Sequence, residues 1–244
     1  MENDRMGLEL CDVRVEEVQV PDSSHIVFHT DPRSAAADRF RFLRMRLRAI
    51  WETGKLKTLL VTSPLPGDGK STVALNLATA LAEGGKRRVL LVDGDLYHPS
   101  LAPALGLENE SGFAECLEAD LAPMSALRRI EPLGWYLLPA GNCTGNATEL
   151  VQSGGVAKVL QTLSPCFDWV LIDSPPVAPL VDALALSRHS DASLLVVRAH
   201  VTPAEAVEDA LTLLGPKQAL GIVLNGVEDL HKIYGKYYGY YRKK

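Results

Sequence analysis

From Leu59 the chain reads Leu59-Leu60-Val61-Thr62-Ser63-Pro64-Leu65-Pro66-Gly67-Asp68-Gly69-Lys70-Ser71-Thr72: an apolar run, a loop with two glycines, then a lysine and two hydroxyls. Gly67 and Gly69 free the backbone to turn N–H groups inward, where they can surround phosphate oxygens. Lys70 supplies positive charge for the β- and γ-phosphates of a nucleotide, and the Ser71 hydroxyl suits the accompanying Mg2+. A helix starting at Lys70 would add its positive dipole end. Gly67, Asp68, Gly69, Lys70, Ser71 and Thr72 are therefore the expected ATP-binding residues. The loop departs from G-x-x-x-x-G-K-[ST] at its first position, which is Pro64.

A bound triphosphate needs carboxylates for its metal and for proton handling. Two apolar runs end in them. Val89-Leu90-Leu91-Val92 leads into Asp93-Gly94-Asp95, and Trp169-Val170-Leu171-Ile172 into Asp173-Ser174-Pro175-Pro176. Both read as buried strands, and open α/β sheets bind ligands beyond such carboxyl ends. Asp173, in the manner of a Walker B strand, is expected to face the magnesium. A further strand ends at Asn225, whose amide could read the adenine edge or serve as a turn residue before Gly226.

Five of the seven tyrosines fall in the last eleven residues: Tyr234, Tyr237, Tyr238, Tyr240 and Tyr241, spaced by Gly235 and Gly239. From His231 onward there are five cations and no acid, which leaves about −10 on the remainder of a chain whose net charge is −5. Read alone, this tail could bind a partner or single-stranded nucleic acid. Beside a phosphate loop it reads better as a set of phosphate acceptors.

The elements that must position these groups alternate. Strands are expected at Thr58–Val61, Val89–Val92, Trp135–Leu138, Trp169–Ile172, Leu194–Val197 and Ile222–Leu224. Helices are expected near Ser34–Trp51, Lys70–Glu83, Thr148–Leu163, Leu180–Ser187 and Pro203–Leu214. This order predicts an α/β fold: a mostly parallel central sheet with helices on both faces, Rossmann-like and of P-loop NTPase type. Residues 1–33 read as an extended arm, 34–230 as the nucleotide-binding domain and 231–244 as a flexible tyrosine-rich tail.

Composition sets outer limits. The chain has 244 residues, 47% hydrophobic and 23% charged, which is ordinary for a globular domain. No apolar run approaches the roughly 20 residues of a membrane span. The polar start lacks the form of a signal peptide, and the four cysteines show no C-x-x-C pair, so a cytoplasmic protein is expected. Its cationic clusters, at Arg39–Arg48 and in the tail, are local patches on an acidic body, so nucleic acid is not an expected partner.

With these motifs in hand, the sequence resembles the bacterial tyrosine autokinases (BY-kinases) of capsule and exopolysaccharide synthesis. The resemblance covers roughly residues 25–244. It rests on the arginine-bearing helix Asp38-Arg39-Phe40-Arg41-Phe42-Leu43-Arg44, the loop Pro66–Thr72, Asp93-Gly94-Asp95, Asp173-Ser174-Pro175-Pro176 and the terminal tyrosines. It implies a deviant P-loop fold and an ATP- and Mg2+-dependent kinase that phosphorylates tails of neighbouring subunits. Lys70, Ser71, Asp93, Asp95 and Asp173 would be the working residues. In that scheme Ser71, Asp95 and Asp173 hold the metal or its waters, and Asp93 takes the proton of the incoming tyrosine. Asp38, Arg41 and Arg44 would lie at the interface of a homo-oligomeric ring. The implied partners are a separate membrane co-polymerase (chain-length determinant), which activates the kinase at the inner face of the plasma membrane, and a cognate tyrosine phosphatase. The chain differs from the family's usual pattern at Pro64, at Asp38 in place of Glu, and at Tyr97 in place of Arg. Two other readings are a partition- or septum-type ATPase switch and an ATP-binding regulatory subunit without catalysis.

Overall fold

The structure, a computed structural model, describes residues 10–178 and 181–227. The five tail tyrosines therefore lie outside the described residues. The strands, in chain order, are β1 (Arg14–Glu17), β2 (Thr58–Thr62), β3 (Val89–Asp93), β4 (Arg128–Glu131), β5 (Trp135–Leu138), β6 (Trp169–Asp173), β7 (Ala192–Arg198) and β8 (Ala219–Asn225). The helices are α1 (Val27–Thr30), α2 (Ala35–Trp51), α3 (Lys70–Ala82), α4 (Leu101–Ala104), α5 (Phe113–Leu117), α6 (Ala147–Gln152), α7 (Gly155–Leu163), α8 (Asp182–Ser187) and α9 (Ala204–Leu214).

One sheet joins all of these strands in the order β1-β4-β5-β3-β6-β2-β7-β8. Every pairing is parallel except that of β4 with β5. The central strands β2, β3 and β6 are buried along their whole length. Their alternate residues serve two cores. Leu59, Val61 and Leu91 pack with α3 on one face, whereas Leu60, Leu90 and Ile172 pack with α5 and α7 on the other. Burial on both faces is why these strands read as unbroken apolar runs.

α2 begins where the Ser34 hydroxyl accepts a hydrogen bond from Ala37 N, with Asp38 in the first turn and Arg48 in the last. The predicted helix over Thr148–Leu163 is two helices. Gly154 takes φ 80° between them, and a Cβ on Gly155 would press against the Leu117 carbonyl, so both glycines serve the break. Part of the expected N-terminal arm is woven into the domain. Residues 14–17 form the edge strand β1, while Val18, Val20 and Ile26 join the core. Asn76 of α3 holds this segment, accepting from Val27 N at 2.9 Å and donating to His25 O at 2.9 Å. Among the described residues, no helix is long and apolar enough to cross a membrane.

Candidate phosphoryl-transfer site

β3, β6 and β2 are neighbours in the sheet, and Asp93 and Asp173 are direct register partners at the ends of the first two. The glycine loop leaves β2 at the same edge and enters α3 through Gly69, whose φ is 91°. No side chain caps this helix, so its first N–H groups are left for a ligand. A Cβ on Gly69 would collide with Asn225 Nδ2, so only glycine fits there.

The charged groups of the loop and strand ends converge. Lys70 Nζ lies 3.1 Å from Asp95 Oδ2. The Ser100 hydroxyl donates to Ser71 Oγ at 2.8 Å. Asp95 Oδ1 accepts from His98 N at 3.0 Å. Asp93 Oδ2 accepts from Ser100 N at 3.1 Å and Leu101 N at 3.0 Å, while its Oδ1 accepts from Asp95 N at 3.3 Å. Asp173 differs from all of these: both of its oxygens are buried and neither has a hydrogen-bond partner.

Burial dominates the electrostatics. It pushes the Asp173 carboxyl up to about 7; Lys70 pulls it down, the Asp93 charge raises it, and Ser71 and Asp95 exert smaller opposed effects. Ser71 acts on Asp173 by proximity, its hydrogen bond being the one with Ser100. Burial likewise raises Asp93 to about 6, against the N–H groups of Leu101 and Ser100. A buried carboxylate without a donor is costly unless a cation meets it. The donor set fits Mg2+, with Asp173, Ser71 and Asp95 as the residues that would hold it. No group of three or more His, Cys, Asp or Glu among the described residues forms a ready metal cage.

The structure thus brings Lys70, Ser71, Asp93, Asp95 and Asp173 to one sheet edge. Asn225 arrives from β8, with Nδ2 donating to the Asp68 main-chain carbonyl at 2.9 Å. Asp68 is buried and folds back on its own loop, accepting from Leu65 N at 3.1 Å and from the Thr202 hydroxyl at 2.6 Å. The interface candidates stand apart on α2. Arg41 pairs with Asp38 at 2.8 Å and donates to Pro32 O, and Arg44 donates to Ala80 O at 3.1 Å. Tyr97 is exposed, its hydroxyl 3.1 Å from Thr148 Oγ1.

Four residues that sequence reasoning missed belong to this neighbourhood: Ser100, Asp182, Arg198 and Thr202. Asp182 is buried with Oδ1 unpartnered; burial raises its carboxyl, Thr148 lowers it and the Asp95 charge raises it. Arg198 Nη1 donates to Gly67 O at 3.1 Å. Nothing local in the sequence marks Arg198 and Thr202, which reach the loop because β7 lies beside β2.

A mostly parallel sheet with a glycine loop, Lys70 and paired strand-end aspartates defines a P-loop nucleotide-binding protein. A family model described as "ParA: NUBPL iron-transfer P-loop NTPase" matches residues 55–208. "Tyrosine-protein kinase YwqD" of Bacillus subtilis (strain 168) is 31% identical over 218 residues, which cover 88% of this chain and 91% of that protein. "Succinoglycan biosynthesis transport protein ExoP" of Rhizobium meliloti (strain 1021) is 30% identical over 227 residues, or 85% of this chain but 29% of that protein. Among solved structures, the kinase domain of Escherichia coli tyrosine kinase ETK superposes with a TM-score of 0.78 at 25% identity, covering 83% of this chain and 80% of that one. The chain belongs to the bacterial tyrosine kinases of the P-loop NTPase superfamily.

Proposed function

We propose that this kinase transfers the γ-phosphoryl group of Mg·ATP to Tyr234, Tyr237, Tyr238, Tyr240 and Tyr241 of a neighbouring copy, and so regulates capsular or exopolysaccharide polymerisation and export. One observation carries the reading: the orphaned Asp173 carboxylate, buried beside Lys70 and Ser71 at the mouth of the phosphate loop. That arrangement supports a metal-bound triphosphate as the ligand. The magnesium would neutralise charge on the phosphates; the rest falls to the chain.

Lys70 exchanges Asp95 for the β- and γ-phosphates, and the loop N–H groups surround their oxygens. The tyrosine oxygen attacks the γ-phosphorus as the bond to the ADP oxygen breaks. The phenolic proton, whose pKa of about 10 makes the hydroxyl a poor nucleophile, passes to Asp93. Burial raises Asp93 to about 6, which lets it accept a proton near neutral pH. Its three main-chain hydrogen bonds favour a second role, fixing the turn from Asp95 to Leu101.

ExoP contributes a name from succinoglycan transport, and the chain covers 29% of it. We place the activator in a separate membrane co-polymerase that holds the kinase at the inner face of the plasma membrane. A ring of copies would contact through Asp38, Arg41 and Arg44, and a tyrosine phosphatase would reset the tail. Purified chain given Mg·ATP, with and without native membranes, and then read by mass spectrometry separates the readings. Phosphotyrosine within residues 234–241 supports the kinase reading. Free phosphate alone marks an ATPase switch, and neither product marks a regulatory subunit.

A further inference from the structure

The flank of the phosphate loop away from the aspartates is held by side chains from β7 and β8. Arg198, the last residue of β7, is the register partner of Asn225, the last of β8. Its guanidinium donates to Gly67 O at 3.1 Å, and Asn225 Nδ2 donates to the next carbonyl, Asp68 O, at 2.9 Å. Thr202 ties the two sides together. Its hydroxyl accepts from Arg198 N at 2.9 Å and donates to Asp68 Oδ1 at 2.6 Å. The Arg198 stem lies along Gly226, where a Cβ would sit 3.6 Å from Cγ. Its charge stands beside the loop, with the guanidinium bonded to a main-chain carbonyl.

The direction of these bonds matters more than their number. In a planar trans peptide the C=O and the following N–H point in opposite senses. A carbonyl of Gly67 held outward by Arg198 turns the Asp68 N–H the other way. A carbonyl of Asp68 held outward by Asn225 does the same for the Gly69 N–H. Successive N–H groups aimed to one side form an anion-binding concavity. Gly67 and Gly69 have φ of 84° and 91°, so the backbone here has access to other conformations that would turn these peptides over.

We infer that Arg198 and Thr202, acting with Asn225, are positioning residues that hold two consecutive peptides of the phosphate loop with their N–H groups facing the triphosphate. The brace organises the loop before nucleotide arrives, and so sets nucleotide affinity rather than the rate of transfer. It rests on the reading of this loop as the triphosphate site, and not on the identity of the acceptor.

The test uses the full chain with Mg·ATP and, by competition, inorganic triphosphate, which has no base. Dissociation constants and apo melting temperatures are measured for wild type, Arg198→Ala, Thr202→Val and the double variant. Removing a charge-assisted hydrogen bond predicts about tenfold weaker binding of both ligands by Arg198→Ala. Thr202→Val, which alters no charge, should weaken both as well, by about three- to tenfold. The double variant should lose less than the product of the two, because Thr202 bonds Arg198 N and both hold the Gly67–Asp68 segment. KM for ATP should rise with these losses while kcat stays within about twofold. Loss for ATP but not for inorganic triphosphate would make Arg198 a base contact and overturn the inference. So would wild-type affinity in Thr202→Val, which would leave only a charge effect, or lowered melting temperatures with unchanged affinities. If the wild type binds neither ligand, the triphosphate site itself fails; if it binds and the variants match it, only the brace fails.

Discussion

Replacing Asp173 by Asn removes a carboxylate that is fully buried without a hydrogen-bond donor. The folded chain holds a proton there up to about pH 7, whereas the ordinary value is 3.8. Between those values the native state binds more protons than the unfolded state, so stability from this group falls as pH rises through the window. A displacement of that size corresponds to about 4 kcal/mol at pH 8, fully lost only above both values. Asparagine removes the charge but leaves a buried amide whose unmade hydrogen bonds cost about 1–3 kcal/mol. The apo variant should therefore be more stable than wild type by about 1–3 kcal/mol at pH 8. Near pH 4 the difference should vanish or reverse. Urea denaturation at pH 4, 6 and 8, without magnesium or nucleotide, reads the gain directly. Repeating the pH 8 series with Mg·ATP at a hundredfold excess over Kd should stabilise wild type by about 2.7 kcal/mol and the variant far less. An apo variant no more stable than wild type at pH 8, or one stabilised equally by Mg·ATP, would mean that Asp173 is neither a buried charge nor a metal ligand.

Asp93→Ala should abolish phosphotyrosine formation while ATP still binds; unchanged incorporation would remove the base assignment. For wild type, the rate of transfer should rise as pH increases through about 6, where the buried Asp93 gives up its proton, and a profile flat from pH 5 to 8 would count against it. Gly69→Ala forces a Cβ into Asn225 at a φ of 91°. Calorimetry should show loss of nucleotide binding, and denaturation a cost of about 1–3 kcal/mol. Full phosphorylation of the tail, at about −1.5 to −2 per tyrosine, would reverse its five positive charges. Light scattering before and after ATP treatment should show the assembly loosening, and an unchanged particle at high phosphorylation would sink that switch.

Much of the site was legible because its signals are local. The loop, Lys70, Ser71 and the aspartates closing two apolar runs sit in contiguous motifs, and parallel strands buried on both faces have no alternation to obscure them. The edge of the sheet was not legible. β1 and β4 read Arg14-Val15-Glu16-Glu17 and Arg128-Arg129-Ile130-Glu131, charge-rich stretches that resemble loops until they pair with each other. The break before α7 hid because Gly154 and Gly155 interrupt an otherwise continuous helical pattern. Arg198 follows the expected strand Leu194–Val197 and carries no motif of its own. Its role depends on β2 and β7 being neighbours, a contact across 131 residues of sequence that no local pattern records. Asp182 falls within the expected helix near Leu180–Ser187, where only packing reveals its burial and the effect of the Asp95 charge on it.

Transfer from one copy to the tail of another can be followed with two distinguishable chains. Isotope-labelled Lys70→Ala chain, inactive but with its tail intact, can be mixed with unlabelled active chain whose five tail tyrosines are phenylalanine. Mg·ATP is added in the presence of native membranes, and the labelled peptides are read by mass spectrometry. Phosphotyrosine is expected at positions 234–241 of the labelled chain, and none when the active partner is left out. Accumulation of ADP and free phosphate with an unmodified labelled tail would contradict transfer between copies.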